Sequence, residues 1–310
     1  MIHNNILEAI GNTPLIKLGR ITDQNDAEIL VKFEGVNIGG SIKTRTAYNM
    51  ILEAEAKGLL NEDSIIVEPT SGNQGIGLAL VSAVRGYKAI IIMPDSVSEE
   101  RRKIMHHYGA DVVLVHDDGD IGECIRKCTE MALDMAKKDK RVYVPQQFEN
   151  EANTMAHRNH TALEILSQAD RPIHGFCSGI GTGGTITGIG EILKEKNPDI
   201  EIWAVEPENA AILAGGNIGT HLQMGIGDGI IPKILNCEIY SDICIVTDEE
   251  AIETSKKLAK LEGLMCGISG GTNVAAALKL AKKLGKGKTV VTVLPDTAER
   301  YFSTPLFENE

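Results

Sequence analysis

At 310 residues the chain can bury one large core or two cooperating ones, since single cores stop growing near ~250–300 residues. Its 43% hydrophobic and 24% charged residues are those of a globular protein, and a net charge of −12 with scattered Lys and Arg excludes a phosphate-tracking surface, so no nucleic acid partner is expected. No early apolar run has the length of a secretory leader and none approaches the ~20 residues of a membrane span, so a cytoplasmic protein without a membrane partner is expected.

In chain order, short β-branched runs fall at 65–67, 89–93 and 112–115. The stretches 41–58, 73–86 and 98–109 carry helical periodicity, and each closes on glycine. A seam is expected near 141–150, before a long polar helix. Strands follow at 173–177, 202–205 and 289–294, with helices near 182–196, 248–262 and 270–284. Near-continuous apolar strands alternating with helices mean mostly parallel sheets covered on both faces, so the fold class is α/β with two sheets expected. Thr247 with Glu250 three residues on reads as a capping box and marks a helix start. Cys124 and Cys128 lie one helical turn apart with no matching pair, short of the four ligands of a structural zinc site. The six cysteines read as free thiols in a reducing compartment, and no metal is expected.

Four glycine-bearing loops carry the chemical signal: Gly39-Gly40-Ser41-Ile42-Lys43, Thr70-Ser71-Gly72-Asn73-Gln74-Gly75, Gly179-Ile180-Gly181-Thr182-Gly183-Gly184-Thr185 and Gly267-Ile268-Ser269-Gly270-Gly271. Each stands where a strand or loop gives way to a helix, whose free N–H groups and positive dipole end suit phosphates and carboxylates. Glycine lets those donors approach the anion closely. Gly179, Gly181 and Gly184, with Glu206 further on, also match a dinucleotide fingerprint, so this loop alone would favour an NAD enzyme.

The remaining motifs decide between the two. Gly11-Asn12-Thr13-Pro14-Leu15, Gly39-Gly40-Ser41-Ile42-Lys43, Thr70-Ser71-Gly72-Asn73, Gln146-Gln147-Phe148, Gly181-Thr182-Gly183-Gly184-Thr185 and Gly225-Ile226-Gly227 occur in the order and spacing of the cysteine synthase and cystathionine β-synthase family, which the chain resembles from about residue 7 to residue 304. The resemblance implies a tryptophan-synthase-β-like fold of two domains with pyridoxal 5′-phosphate between them. A smaller mobile domain would comprise residues 1–12 and 35–145, and a larger cofactor-binding domain residues 13–34 and 146–310. It further implies a homodimer acting on a small amino acid. Lys43 looks like the Schiff-base lysine, an amine useful only when deprotonated, which burial favours. Gly181, Thr182, Gly183, Gly184 and Thr185 match the phosphate cup. Thr70, Ser71, Gly72, Gln74 and Gln147 match the groups that hold the substrate carboxylate, with Asn73 facing the cofactor's 3′-oxygen. Ser269 matches the residue at the pyridine nitrogen, where a hydroxyl makes a weaker electron sink than an aspartate and suits β-elimination and replacement. The plainer reading of Ser269, a helix N-cap, is compatible with that role.

Several positions depart from the family pattern. Asn37-Ile38-Gly39-Gly40 replaces Asn-Pro-Gly-Gly, Lys43-Thr44-Arg45 replaces Lys-Asp-Arg, and Gln74 stands where a threonine is usual. Gly225-Ile226-Gly227-Asp228-Gly229 replaces a Gly-Ile-Gly-Ala-Gly that borders the cofactor's reactive face in the family. Asp228 between two glycines is also what a turn would use. A carboxylate there would repel a hydrosulfide anion within ~4 Å by several kcal/mol at reduced dielectric. It would suit the activation of neutral water. The preferred reading is a cysteine hydroxyl-lyase: Lys43 removes the α-proton of L-cysteine, sulfide leaves, and Asp228 helps water add, giving L-serine. The alternatives are cysteine synthesis from O-acetyl-L-serine and sulfide, a cystathionine-β-synthase-like exchange, and a catalytically silent cofactor-binding scaffold.

Overall fold

The computed structural model describes residues 2–70, 72–119 and 121–308 and forms two α/β layers side by side. β1 (Leu15–Lys17) pairs antiparallel with β2 (Glu28–Phe33), which lies at the start of a six-stranded sheet. The chain then leaves to build a second, four-stranded parallel sheet. Its strands are β3 (Ile65–Pro69), β4 (Lys88–Pro94), β5 (Asp111–Val115) and β6 (Val142–Tyr143), in the order β5-β4-β3-β6. It returns to the first sheet with β7 (Gly175–Gly179), β8 (Glu201–Pro207), β9 (Asp242–Val246) and β10 (Thr289–Leu294), giving the order β1-β2-β10-β7-β8-β9.

The parallel strands are apolar along their length because helices cover both faces. In β10 all six residues are buried, and β8 buries six of seven. The smaller sheet carries α1 (Lys43–Ala56), α2 (Asn73–Arg85), α3 (Glu99–His107) and α4 (Ile121–Lys138). The larger carries α5 (Glu151–Ala156), α6 (Ala162–Gln168), α7 (Gly184–Lys196), α8 (Asp248–Lys257) and α9 (Ile268–Leu284). α1 and α2 lie close because Gly77 has no side chain: a Cβ there would stand 3.0 Å from the Lys43 carbonyl oxygen and 2.9 Å from the Ala47 methyl.

The expected alternation of strands and helices is present, and Thr247 and Glu250 do form the capping box that opens α8. After β6 the chain returns to the larger sheet. The long polar helix expected there is broken into three pieces, α5, a π-helical turn His157–Thr161, and α6. β1, β2, β6, β9 and α4 have no counterpart among the sequence expectations. All six cysteines are free thiols, five of them buried, and among the described residues no group of three or more His, Cys, Asp or Glu is placed to hold a metal. No helix of the described residues is long and apolar enough to cross a membrane.

Candidate active site

Parallel sheets present ligand sites beyond the carboxyl ends of their strands, and each glycine-bearing loop before residue 186 follows such an end. The lysine loop comes after β2, the Thr70–Gly75 loop after β3, Gln147 after β6 and the Gly181–Thr185 loop after β7. They meet in one cavity lined by Lys43, Thr70, Asn73, Gln74, Gln147, Gly181, Thr182, Gly183, Thr185, Asp228 and Ser269. Gly184 lies just behind this wall as the first residue of α7, and Gly72 is the N-cap of α2. Ser71 lies outside the described residues.

Lys43 is the first residue of α1, and the chain before it is tied to the end of β10. The Ile42 N–H donates to the Pro295 carbonyl at 2.8 Å, and Ser41 bridges to Asp296. The Lys43 Nζ lies 3.4 Å from the Thr182 Oγ1. Burial draws its pKa down from 10.5 to about 8, with the charge of Asp228 opposing. A neutral, nucleophilic amine is therefore accessible near neutral pH.

The Gly181–Thr185 loop is shaped by approaches that only glycine allows. Gly183 has φ +78°, and a Cβ on Gly181 would collide with the Gly225 carbonyl oxygen. A Cβ on Gly184 would drive into the Asn153 amide. The loop ends in the first turn of the 13-residue α7, whose leading N–H groups have no intrahelical acceptor. Thr182 Oγ1 accepts from Asn153 Nδ2 at 2.9 Å, and Thr185 Oγ1 lies 3.3 Å from His157 Nε2. His157 is buried, and desolvation together with nearby Lys43 and Arg45 keeps its ring neutral.

The carboxylate loop is held differently. Thr70 Oγ1 accepts from the Gly72 N–H at 3.1 Å. Gln147 is strapped down by Glu68, whose two carboxylate oxygens accept the Gln146 and Gln147 N–H groups at 2.9 Å each. Glu68 is fully buried, and burial pushes its pKa to about 7 against the pull of those two bonds. Asn73 donates to Asp296 at 2.6 Å and accepts from Arg300 at 2.5 Å. Gln74 turns its amide oxygen back to Thr46 at 2.7 Å, and its amide nitrogen has only the Met50 sulfur at 3.9 Å. The glutamine thus braces α2 against α1 as well as bordering the cavity.

Two sequence readings change. Ser269 is not the N-cap of α9; Gly267 is, because the helix begins two residues earlier than its hydroxyl suggested, and Ser269 faces the cavity from the first turn. Glu206, the acidic residue of the apparent dinucleotide fingerprint, is spent on its own chain, accepting the Leu213 and Ala214 N–H groups at 2.9 and 3.1 Å. Asp228 lines the cavity between glycines of φ +69° and +73°. Desolvation raises its pKa, while Lys43 and His221 pull it down. Asn153, His157, Arg101, Asp296 and Arg300 also form or support this wall and carried no sequence signal, since each lies in a stretch that reads as ordinary helix or loop polarity.

The arrangement fits pyridoxal phosphate: a largely buried amine of lowered pKa beside a glycine cradle at a helix start, with the Ser269 hydroxyl in the same cavity. Such a combination defines a pyridoxal-phosphate enzyme of the two-sheet type. Residues 6–296 match the family model of pyridoxal-phosphate-dependent enzymes. Cysteine synthase of Staphylococcus aureus is 47% identical over 305 residues, covering 98% of this chain and 97% of the relative. Among solved structures, O-ureido-L-serine synthase superposes with a TM-score of 0.94 at 40% identity, covering 100% of this chain and 96% of that one. A hydrogen sulfide-producing enzyme of Fusobacterium nucleatum superposes with 0.91 at 41% identity, covering 97% and 100%. The chain belongs to the pyridoxal-phosphate-dependent enzymes, in their cysteine synthase family.

Proposed function

We propose that this enzyme is a cysteine hydroxyl-lyase, converting L-cysteine and water to L-serine and hydrogen sulfide. Bound at Lys43, with its phosphate in the Gly181–Thr185 loop and Ser269 at its ring nitrogen, pyridoxal phosphate would supply an electron sink at the substrate's α-carbon. Thr70, Ser71, Gly72, Gln74 and Gln147 would hold the substrate carboxylate, and Asn73 the face of the cofactor. Lys43, with its amine free and its pKa lowered by burial, takes the α-proton.

The observation that carries the reading is Asp228, a carboxylate in the same cavity as Lys43 and electrostatically coupled to it. Desolvation makes Asp228 a stronger base than an exposed aspartate. His221 supports the loop around it: Nδ1 accepts from the Gln223 N–H at 3.1 Å, so Nε2 donates to the Gly227 carbonyl at 3.1 Å. In this role Asp228 takes a proton from water as its oxygen bonds to the β-carbon. The test is the fate of L-cysteine supplied alone: equimolar serine and sulfide support the reading, and no turnover refutes it.

The second reading is synthesis of L-cysteine from O-acetyl-L-serine and sulfide, favoured by the names of the curated relatives. Brisk cysteine formation without consumption of cysteine in water would establish it instead. The proposal includes a homodimer in the cytoplasm. It also includes closure of the smaller unit, residues 1–12 and 35–145, over the larger one, 13–34 and 146–310, when the substrate carboxylate reaches the Thr70–Gly75 loop.

A further inference from the structure

We infer that Arg101 is an anion-binding residue of the active-site cavity, holding the hydrosulfide that leaves or enters at the substrate's β-carbon; the inference rests on the β-carbon chemistry proposed above, in either direction. The sequence Ser98-Glu99-Glu100-Arg101-Arg102 looks like the solvated first turn of a helix. Instead the Arg101 side chain turns inward from α3, is 1% exposed, and lines the cavity beside Met224 and Asp228. It passes over the carboxylate loop at Gly72, where any Cβ would collide with its Cδ.

Nothing there satisfies the guanidinium well. Its Nε has no partner among the described residues. Nη1 reaches Ser98 Oγ at 3.5 Å and the Met224 sulfur at 3.0 Å, a weak acceptor. Nη2 stands 4.0 Å from Asp296 Oδ2, and the Tyr301 ring lies 4.8 Å from the guanidinium carbon. Asp296 is already engaged by Asn73 at 2.6 Å and by the Tyr301 hydroxyl at 2.8 Å. Arg300, in the same cluster, bonds Asn73 and the Gly39 carbonyl. Asp296 is thus the nearest carboxylate to two guanidiniums, and neither holds it in a close ion pair.

A buried charge left this short of acceptors is costly unless an anion completes its shell. The methionine beside it is a flexible side chain that a ligand can displace. The reaction supplies such an anion. When the C–S bond breaks, both electrons leave on sulfur and the departing group is HS⁻; in synthesis HS⁻ brings its lone pair to the β-carbon. Either way one negative charge appears in a cavity that also contains Asp228. The single charge of Arg101 offsets that repulsion, so base and anion are tolerated together.

Thiocyanate serves as the probe anion, titrated calorimetrically into wild-type, R101K and R101Q holoenzymes that retain the cofactor's absorbance. R101Q should weaken binding by at least about tenfold, the lower end of a charge-assisted hydrogen bond, and R101K should recover part of the loss. Independently of whether R101Q folds, crystals of wild-type holoenzyme soaked in bromide should show an anomalous peak against the Arg101 guanidinium. Unchanged affinity in R101Q, no thiocyanate binding to the wild type, or bromide absent from Arg101 would each overturn the assignment. If cysteine yields no serine yet thiocyanate binding depends on Arg101, the hydroxyl-lyase reading fails and the anion site stands.

Discussion

Glu68 offers a quantitative check on how the substrate-carboxylate wall is built. Its carboxyl group is fully buried at the end of β3, and both oxygens hold the Gln146–Gln147 backbone. Burial raises its pKa from 4.5 to about 7, with the two backbone bonds pulling the other way. A folded-state pKa above the unfolded one means stability that is full below pH 4.5 and is lost as pH rises through 7. The difference corresponds to a loss on the order of 3 kcal/mol between those limits, at ~1.36 kcal/mol per pH unit. Glu68→Gln removes the titration but presents an amide NH₂ to one of the two backbone donors, so it should be less stable than the wild type in acid. The gap should close, or reverse, by about pH 8. Urea unfolding of both holoenzymes from about pH 4.5 to pH 8, compared through their midpoints at constant m-value, measures this directly. Parallel stability profiles would refute the reasoning, because they would mean that Glu68 carries the same charge folded and unfolded across the whole range.

Lys43→Ala should abolish borohydride-fixable pyridoxyl labelling and turnover while leaving the urea midpoint of the cofactor-free protein close to normal; labelling that persists in the variant would place the covalent link elsewhere. Arg45 joins Glu34, with Nε–Oε2 at 2.8 Å, to Glu164, with Nη1–Oε1 at 2.6 Å, and thereby pins the start of α1 to the larger sheet. Arg45→Ala leaves the buried Glu34 carboxylate uncompensated and should cost about 3–5 kcal/mol in chemical denaturation, whereas a loss under about 1 kcal/mol would show that the pair does not hold the lysine helix in place.

The α/β alternation was legible because parallel strands covered on both faces are apolar runs, and because the helices after β3 and β4 close on glycines such as Gly86, which is αL at the C-cap of α2. α4 buries a stripe of Cys124, Ile125, Cys128 and Ala132 at helical spacing, a pattern that is present in the sequence but in which the cysteine pair reads first as a candidate for metal ligands. β9 is short: its apolar run is only residues 243–246, set between Asp242 and the capping Thr247, and it reads as the approach to α8 as readily as a strand. At the site, the glycine loops were legible from local backbone demands that glycine alone meets. What could not be read was pairing between distant loops. Asn73 is held by Asp296 and Arg300, more than 220 residues away, and Gln74 is drawn to Thr46. Arg101 looked solvated because its burial depends on Gly72, Met224 and Tyr301 arriving from three other parts of the chain.

Asp228 is the residue on which hydroxyl-lyase chemistry turns, and the deciding measurement is the yield of serine and sulfide from L-cysteine by wild type and Asp228→Asn. The wild type should release the two in equal amounts. The variant should still release sulfide, with serine formation slowed by ~10²–10⁴, the usual value of general-base assistance, and with pyruvate and ammonia appearing in its place. Asn is as good as Asp in a turn, so a structural role would leave the product ratio unchanged. Serine formed by Asp228→Asn at close to the wild-type rate would contradict the assignment of Asp228 as the base for water.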